Sequence, residues 1–580
     1  VEVFGDEPEN FDPDASDNVS EKIDKDFKRA RMADYQYIPV ADLKGMVEED
    51  QLTAGEEINA GDWIVVTSYQ RGSGQIFSDG AFGGTSESMV NNLYVPNYMD
   101  KSGIDVVTDY WDKYILSDQE LYGLMEENAR IAEENGGTPM LFEDSLELTD
   151  SSNLWTKDIQ DSAKLCFGED YQYADVFGAL YAIGKSSQYS ISESVSADYN
   201  TLKDYLFAVE HYGAVSAWSK EKCAGYGFRV QHDTDTLAVD QKNVDIIEGD
   251  NGSKGDGLRQ RTSFKNLYNK GILSMEAVTG METYSLNWAD VLIEVGQNYS
   301  QGVNHVILHG SSYNKSCNGY NAQWPGWSGF GSGFADDYNG RDAYWDEADN
   351  LTGYMARSQA VLQSGVQKVD VAVLESGQQT LLDNGYSYDI LSDTMLTYAD
   401  PTQVKVNDQG QKIIYADGPS YKALIVRADT LEGMENKADI LSYAAAGFPV
   451  YVIGEGNLAN VTYVADKEDS LLAQLKKDGI TASASYEDVE NLTATHYEDE
   501  ADDSDYYFLY NDYNTGANNG MLNAGVGNNL KAGEEINTTV TLEGDGVPYI
   551  FDAVTGDITP VAAYTRDGDS ITMDISLESR

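Results

Sequence analysis

Between about residue 100 and residue 375 one arrangement recurs: a helical pattern of apolar residues, a glycine, a short apolar run, and polar residues where the run stops. In its first occurrence Ser117, Asp118, Gln119 and Glu120 read as a capping box, and Leu121, Leu124, Met125 and Ile131 follow at helical spacing. Gly136-Gly137 then releases the chain into "TPMLF", which ends at Glu143 and Asp144. The second runs from a helix over 202–218 through Gly225 and Gly227 to "FRVQ", ending at His232 and Asp233. The third leads from "RTSFKNLYNKG" into "ILSMEAV", with Glu276 near the strand's end. In the fourth, Trp288, Val291, Leu292, Val295 and Tyr299 form one helix face before Gly302 and "VNHVILHG". A fifth helix, over 348–363, precedes Gly365 and "VDVAVLES".

Strands alternating with helices at this pitch imply βα units and a parallel sheet. An open doubly wound sheet shares the signature. A (β/α)8 barrel is favoured, because one strand after another ends in residues suited to chemistry and a barrel gathers those ends on one face. The expected layout is an accessory segment over 1–60 and a barrel over 61–365, with "DWIVVTSYQRGSG" at 62–74 as an early strand. A small flavodoxin/amidotransferase-like α/β domain follows over 366–485, carried by "YKALIVR", a helix over 434–446 and "FPVYVIG". Alternating runs such as "YYFLYNDYN", "INTTVTLEG" and "SITMDISLE" predict a C-terminal antiparallel β domain over 486–580. "EDEADDSD" at 498–505 reads as a solvated loop, with metal binding as the alternative.

Charge narrows the partners. The 98 acidic residues outweigh 38 basic ones for a formal net charge of −60, which repels nucleic acid and anionic membranes and leaves neutral or cationic ligands and metal ions. No apolar stretch is long enough for a membrane span, and the charge is read as that of a secreted or cell-surface bacterial protein. Cys166, Cys223 and Cys317 fit neither a metal knuckle nor a disulfide framework.

Glu147 and Glu276 lie 129 positions apart at the ends of different predicted strands. Acid–base work on an acetal needs two such carboxyl groups facing each other, one protonated and one ionised; the alternative is a pair of surface loop carboxylates. On the loop "CNGYNAQWPGWSGFGSGF", Trp324 and Trp327 suit the apolar faces of sugar rings or else pack the loop onto the core. Of five histidines, His232, His305 and His309 fall on or just after strands, and alternation puts His305 and His309 on one side; a plain buried histidine is the rival. The acids between 232 and 257 include Glu248, which ends the apolar "VDII" and is the one best placed to reach a site as a hard oxygen ligand.

"LFEDSLE", "FRVQHD" followed by "VDIIEGD", "RTSFKNLYNKGILSMEAVTG" and "GVNHVILHG", in that order, resemble glycoside hydrolase family 106, the α-L-rhamnosidases. The resemblance covers roughly residues 60 to 375 and more loosely extends to 480. It implies a (β/α)8 catalytic barrel, inversion of anomeric configuration, and calcium near the sugar, with Asp144 and Glu248 as the candidate ligands. It implies Glu147 as the general acid and Glu276 as the base that activates water. Asp144, His232, His305, His309, Trp324 and Trp327 are the expected substrate contacts, and a carbohydrate or glycoside the expected partner. Two rivals remain: a retaining exo-glycosidase of β-galactosidase-like architecture, with Glu276 as nucleophile, and a non-catalytic carbohydrate-binding surface protein.

Overall fold

The computed structural model describes residues 47–48, 51–52, 95–169, 199–311, 338–512 and 534–578, with breaks that include 147–154, 232–242, 251–254 and 280–283. The expected strand at 62–74 and the aromatic loop at 317–334 lie outside the described residues.

The chain divides into two compact units. The first (residues 1–126, 147–224 and 234–243) is helical where described, apart from a short antiparallel pair of Val47–Glu48 with Gln51–Leu52. It carries α1 (Lys101–Tyr114), while α2 (Gln119–Glu134) spans the division and α3 (Ile159–Phe167) returns to the first unit. The cap of α2 differs from the expected box. Asp118 accepts from the amides of Glu120 and Leu121 at 2.9 and 3.2 Å, while the Ser117 hydroxyl turns back to the Lys113 carbonyl. A carboxylate outcompetes a hydroxyl for those amides at a helix's positive end. The helix expected over 202–218 is present, but Phe207–Gly213 is wound as a π-helix before α4 (Ala214–Lys222).

The second unit (residues 127–146, 225–233 and 244–580) holds two parallel sheets. The first is curled, in strand order β1 (Met140–Glu143), β2 (Gly227–Gln231), β3 (Ile246–Gly249), β4 (Leu273–Ala277) and β5 (His305–Leu308). Four of its strands are the short apolar runs between glycine and polar residue that the pattern requires; β3 has no glycine before it and ends in Gly249. Phe228, Val230, Ile247, Leu273 and Met275 alternate onto one face and are almost fully buried. Helix α5 (Asp256–Leu267) packs behind β3 and β4. Its Phe264 is wholly buried, a contribution of about 1.5–3 kcal/mol. Helix α6 (Trp288–Ser300) starts with Asn287 and Asp290 capping each other reciprocally, and α7 (Ala348–Leu362) packs beside it.

"VDVAVLES" forms β6 (Val371–Leu374), which belongs to the second sheet. There β6 pairs in parallel with β7 (Tyr388–Leu391) and β8 (Ala423–Arg427), and β9 (Val450–Ile453) and β10 (Thr462–Val464) follow on the β8 side. Helix α5 also touches this sheet: Ser263 Oγ accepts from the Ile390 amide at 2.9 Å, and Asn266 donates to the buried Asp389.

Among the described residues, the two largest antiparallel ladders come next. In the first, β11 (Leu492–Asp499) pairs with β12 (Ser504–Asn511) and with the short strand Val366–Lys368. "EDEADDSD" is therefore not wholly a loop. Glu498 and Asp499 close β11, Ser504 and Asp505 open β12, and Lys368 and His496 hold Glu498 and Asp505 at 3.1 and 2.7 Å. A lysine and an imidazole placed against the two carboxylates make their charges tolerable in a ladder. In the second, β13 (Ile536–Glu543) pairs with β14 (Ser570–Leu577).

Gly296 of α6 lies against the Tyr510 ring of β12, which would collide with any added Cβ. The variant Gly296→Ala is expected to lose about 1–3 kcal/mol of stability, read as a lower denaturation midpoint. An unchanged midpoint would show that this packing is not held in solution.

Candidate active site

Register places the polar side chains of the first sheet side by side. Phe142 lies opposite Arg229, Gln231 opposite Glu248, Glu248 opposite Ser274, Ser274 opposite His305, and Glu276 opposite Ile307. Because side chains alternate along a strand, Arg229 with Gln231, Ser274 with Glu276, and His305 with Ile307 share the face opposite the apolar one. One face is thus buried under helices, and the other carries a row of hydrogen-bonding and charged groups at the carboxyl ends of the strands.

Glu276 is at the centre of this row. Gln231 Nε2 donates to its Oε2 at 2.6 Å, and His309 Nε2 lies 3.9 Å from its Oε1. His309 is positioned by its own amide, which bonds the Ala277 carbonyl at 2.7 Å. Burial pushes the Glu276 carboxyl above the usual carboxylate range. The His309 charge and the Gln231 bond oppose that rise, and the charges of Asp250 and Asp144 add to it. A carboxyl so raised is a stronger base than one in water, suited to receiving a proton near neutral pH.

Glu248, 1% exposed, lies one strand away. Its Oε2 accepts the Ser274 hydroxyl at 2.6 Å and lies 3.2 Å from Arg229 Nε. The guanidinium in turn sits 4.1 Å above the Phe142 ring. Burial raises the Glu248 carboxyl despite these two partners. Ser274 Oγ is also 3.0 Å from His305 Nδ1, and burial together with the Arg229 charge holds the His305 imidazole below its ordinary pKa, hence neutral at pH 7.

Of the residues singled out in the sequence, Glu248, Glu276, His305 and His309 therefore come together on one sheet. Asp144 follows β1, and its charge reaches both glutamates. Glu147, His232, Trp324 and Trp327 lie outside the described residues. Arg229, Gln231 and Ser274 were missed. Their signal was present: "FRVQ" and "LSME" each carry two polar residues at alternate positions inside an otherwise buried run, which marks a strand whose second face is functional.

Calcium takes six to eight oxygen ligands. Among the described residues no group of three or more His, Cys, Asp or Glu side chains converges to hold a metal. Asp144, an exposed carboxylate at a strand end, has the chemistry of a calcium ligand. Glu248 is the poorer fit, because a guanidinium and a hydroxyl already meet its Oε2.

A curled parallel sheet with carboxylates and imidazoles gathered at its carboxyl ends defines an α/β protein of half-barrel type with an acid–base site. The chain belongs to glycoside hydrolase family 106, whose model, described as alpha-L-rhamnosidase, matches residues 98–440, more than half its length. Among solved structures it is similar to a rhamnosidase from Novosphingobium sp. PP1Y (TM-score 0.59, 17% identity), over 83% of this chain and 47% of that one. The chain thus spans about half the length of that relative. Weaker similarities are to a β-galactosidase from the psychrophilic Marinomonas ef1 (TM-score 0.34, 11% identity, 62% of each chain) and to a polyextremophilic β-galactosidase from the Antarctic haloarchaeon Halorubrum lacusprofundi (TM-score 0.33, 11% identity, 66% of this chain and 60% of that one). No curated protein matches the chain. Among the described residues, no helix is long and apolar enough to cross a membrane.

Proposed function

We propose that this chain is an exo-acting, inverting glycosidase that removes a terminal sugar, α-L-rhamnose in the first instance, from a glycan or glycoside. The observation that carries the reading is Glu276, held by Gln231 and His309 at the carboxyl end of β4 with its carboxyl raised by burial. In the proposed single displacement Glu276 takes a proton from water as that water attacks the anomeric carbon. Glu147, four positions past the end of β1, protonates the departing oxygen. The face shared by His305 and His309 offers hydrogen bonds to the sugar's hydroxyls, with His232, Trp324 and Trp327 completing the contacts.

The proposal extends to the domain limits: a (β/α)8 barrel over 61–365, of which the curled sheet is the described part, an α/β domain over 366–485 and a β domain over 486–580, after an accessory segment. It also extends to a secreted or cell-surface location, in keeping with the charge.

Calcium belongs to the same reading, with Asp144 as a ligand; bound there, it would bring positive charge to the sugar's hydroxyls. Titration calorimetry is expected to show calcium binding that Asp144→Ala weakens at least ~10-fold, about the cost of one charged ligand contact, and that Glu248→Gln leaves in place. Equal loss in both variants would restore Glu248 as a ligand.

Incubation with p-nitrophenyl α-L-rhamnoside tests the function, with the anomer first released followed by proton NMR. Release of the β anomer supports inversion, and release of the α anomer would replace the single displacement with a retaining mechanism. Cleavage of another glycoside alone would overturn the sugar assignment, and no cleavage at all would overturn catalysis.

A further inference from the structure

The polar face of the first sheet holds a continuous chain of contacts that the acid–base step does not use. It runs from Arg229 to Glu248, from Glu248 to Ser274, and from Ser274 to His305, across three adjacent, in-register strand pairs. We propose that Glu248 and Ser274 are positioning residues that fix the proton of His305 on Nδ1, so that Nε2 serves as a hydrogen-bond acceptor for a hydroxyl of the bound sugar.

The direction of the chain follows from its two ends. The 2.6 Å bond from Ser274 Oγ to Glu248 Oε2 has the length typical of a hydroxyl bound to a carboxylate, and the guanidinium at 3.2 Å works for the ionised acid against the burial that raises it. With its proton committed to Glu248, Ser274 Oγ can only accept from the ring nitrogen 3.0 Å away, so that nitrogen carries the hydrogen. A neutral imidazole has one N–H, which leaves Nε2 as a bare lone pair. Burial beside Arg229 keeps the ring from taking a second proton. Such an acceptor selects a hydroxyl at one position of the ring and disfavours a sugar lacking it, since the lone pair would then go unmatched in the complex.

The ligand half of this inference rests on the glycosidase reading; the tautomer half does not, and the test separates them. With 15N-labelled histidine, long-range proton–nitrogen NMR at neutral pH identifies the tautomer of each of the five histidines, and His305→Asn assigns the signal in question. The expected result is the Nδ1–H form in the wild type, a mixture of both forms in Ser274→Ala, and recovery in Ser274→Thr. In the same variants KM for the cleaved glycoside is expected to rise roughly 3- to 10-fold in Ser274→Ala, with kcat little changed, the loss of about one hydrogen bond. A wild-type ring with its proton on Nε2 or on both nitrogens would overturn the relay, as would a tautomer indifferent to Ser274→Ala. An unchanged KM alongside a lost tautomer would overturn the acceptor role. If no glycoside is cleaved but the Nδ1–H form is found, the sugar-hydroxyl assignment fails together with the glycosidase reading and the relay stands.

Discussion

Glu276→Gln is expected to lower kcat by about 10²- to 10⁴-fold on any glycoside the protein cleaves, while the denaturation midpoint stays unchanged. The amide has the size of the carboxyl and keeps an oxygen for the Gln231 side chain, which donates at 2.6 Å, so packing is retained and only proton uptake is lost. Steady-state kinetics and a denaturation curve on the same preparation check both halves. A fall in kcat of less than about tenfold would mean that Glu276 is not the base. The pH profile follows from the same contacts. A base acts in its ionised form, and burial places the Glu276 carboxyl above its ordinary 4.5, so the acid limb of kcat/KM should lie above that value. Gln231 stabilises the ionised form, and its removal in Gln231→Ala should move the limb higher still.

The second large effect concerns stability and lies in the other sheet. Asp370, just before β6, is 1% exposed, and the Lys422 ammonium lies 3.0 Å from it. Ser483 and Ser387 each bond it through both amide and hydroxyl, between 2.7 and 3.0 Å. Burial alone would raise its carboxyl, but the lysine charge and these bonds bring it below the ordinary 3.8. Asp370→Ala leaves the lysine short of a partner and is expected to lose about 3–5 kcal/mol. The double variant Asp370→Leu with Lys422→Met, which removes both charges and fills the space, should be more stable than the single one. The sign with pH is fixed by the depressed value: the contribution is complete above the unfolded carboxyl's pKa and vanishes as pH falls through the folded one. Wild type and variant should therefore converge in acid, and urea midpoints across pH measure it. A constant gap down to strongly acidic pH would show that the pair's charge is not the source.

Much of this architecture was legible in the chain. Four of the five strands of the curled sheet are apolar runs opened by glycine, β3 being the exception, and Glu276, His305 and His309 were recognisable because they end or punctuate such runs. What escaped has a common cause. Sequence shows which residues alternate on one strand but not which residue of the next strand lies beside them, so the contacts of Glu248 with Ser274 and of Glu276 with Gln231 depend on register alone. The alternation in "FRVQ" marks Arg229 as facing the polar side, but only the neighbouring strands show that it meets Glu248 and the Phe142 ring. The acid run at 498–505 misled in the same way, its repulsion offset by Lys368 and His496 from other positions.

Terminal β regions of multidomain hydrolases are often pictured as attachments that recombination can add or discard. Here the antiparallel ladders finish interiors begun elsewhere: Glu543 at the end of β13 supplies the second carboxylate to Lys422 at 2.8 Å, and Tyr510 of β12 fills the notch at Gly296. Arg357 of α7 also donates at 2.7 Å to the carbonyls of Ala553 and Val554. A shortened relative ending before β11 would inherit a half-neutralised buried lysine and an open groove on α6. Any natural shuffling of this module must carry those complements with it, which makes the chain from β11 onward an heirloom of the parallel core and not an interchangeable tail.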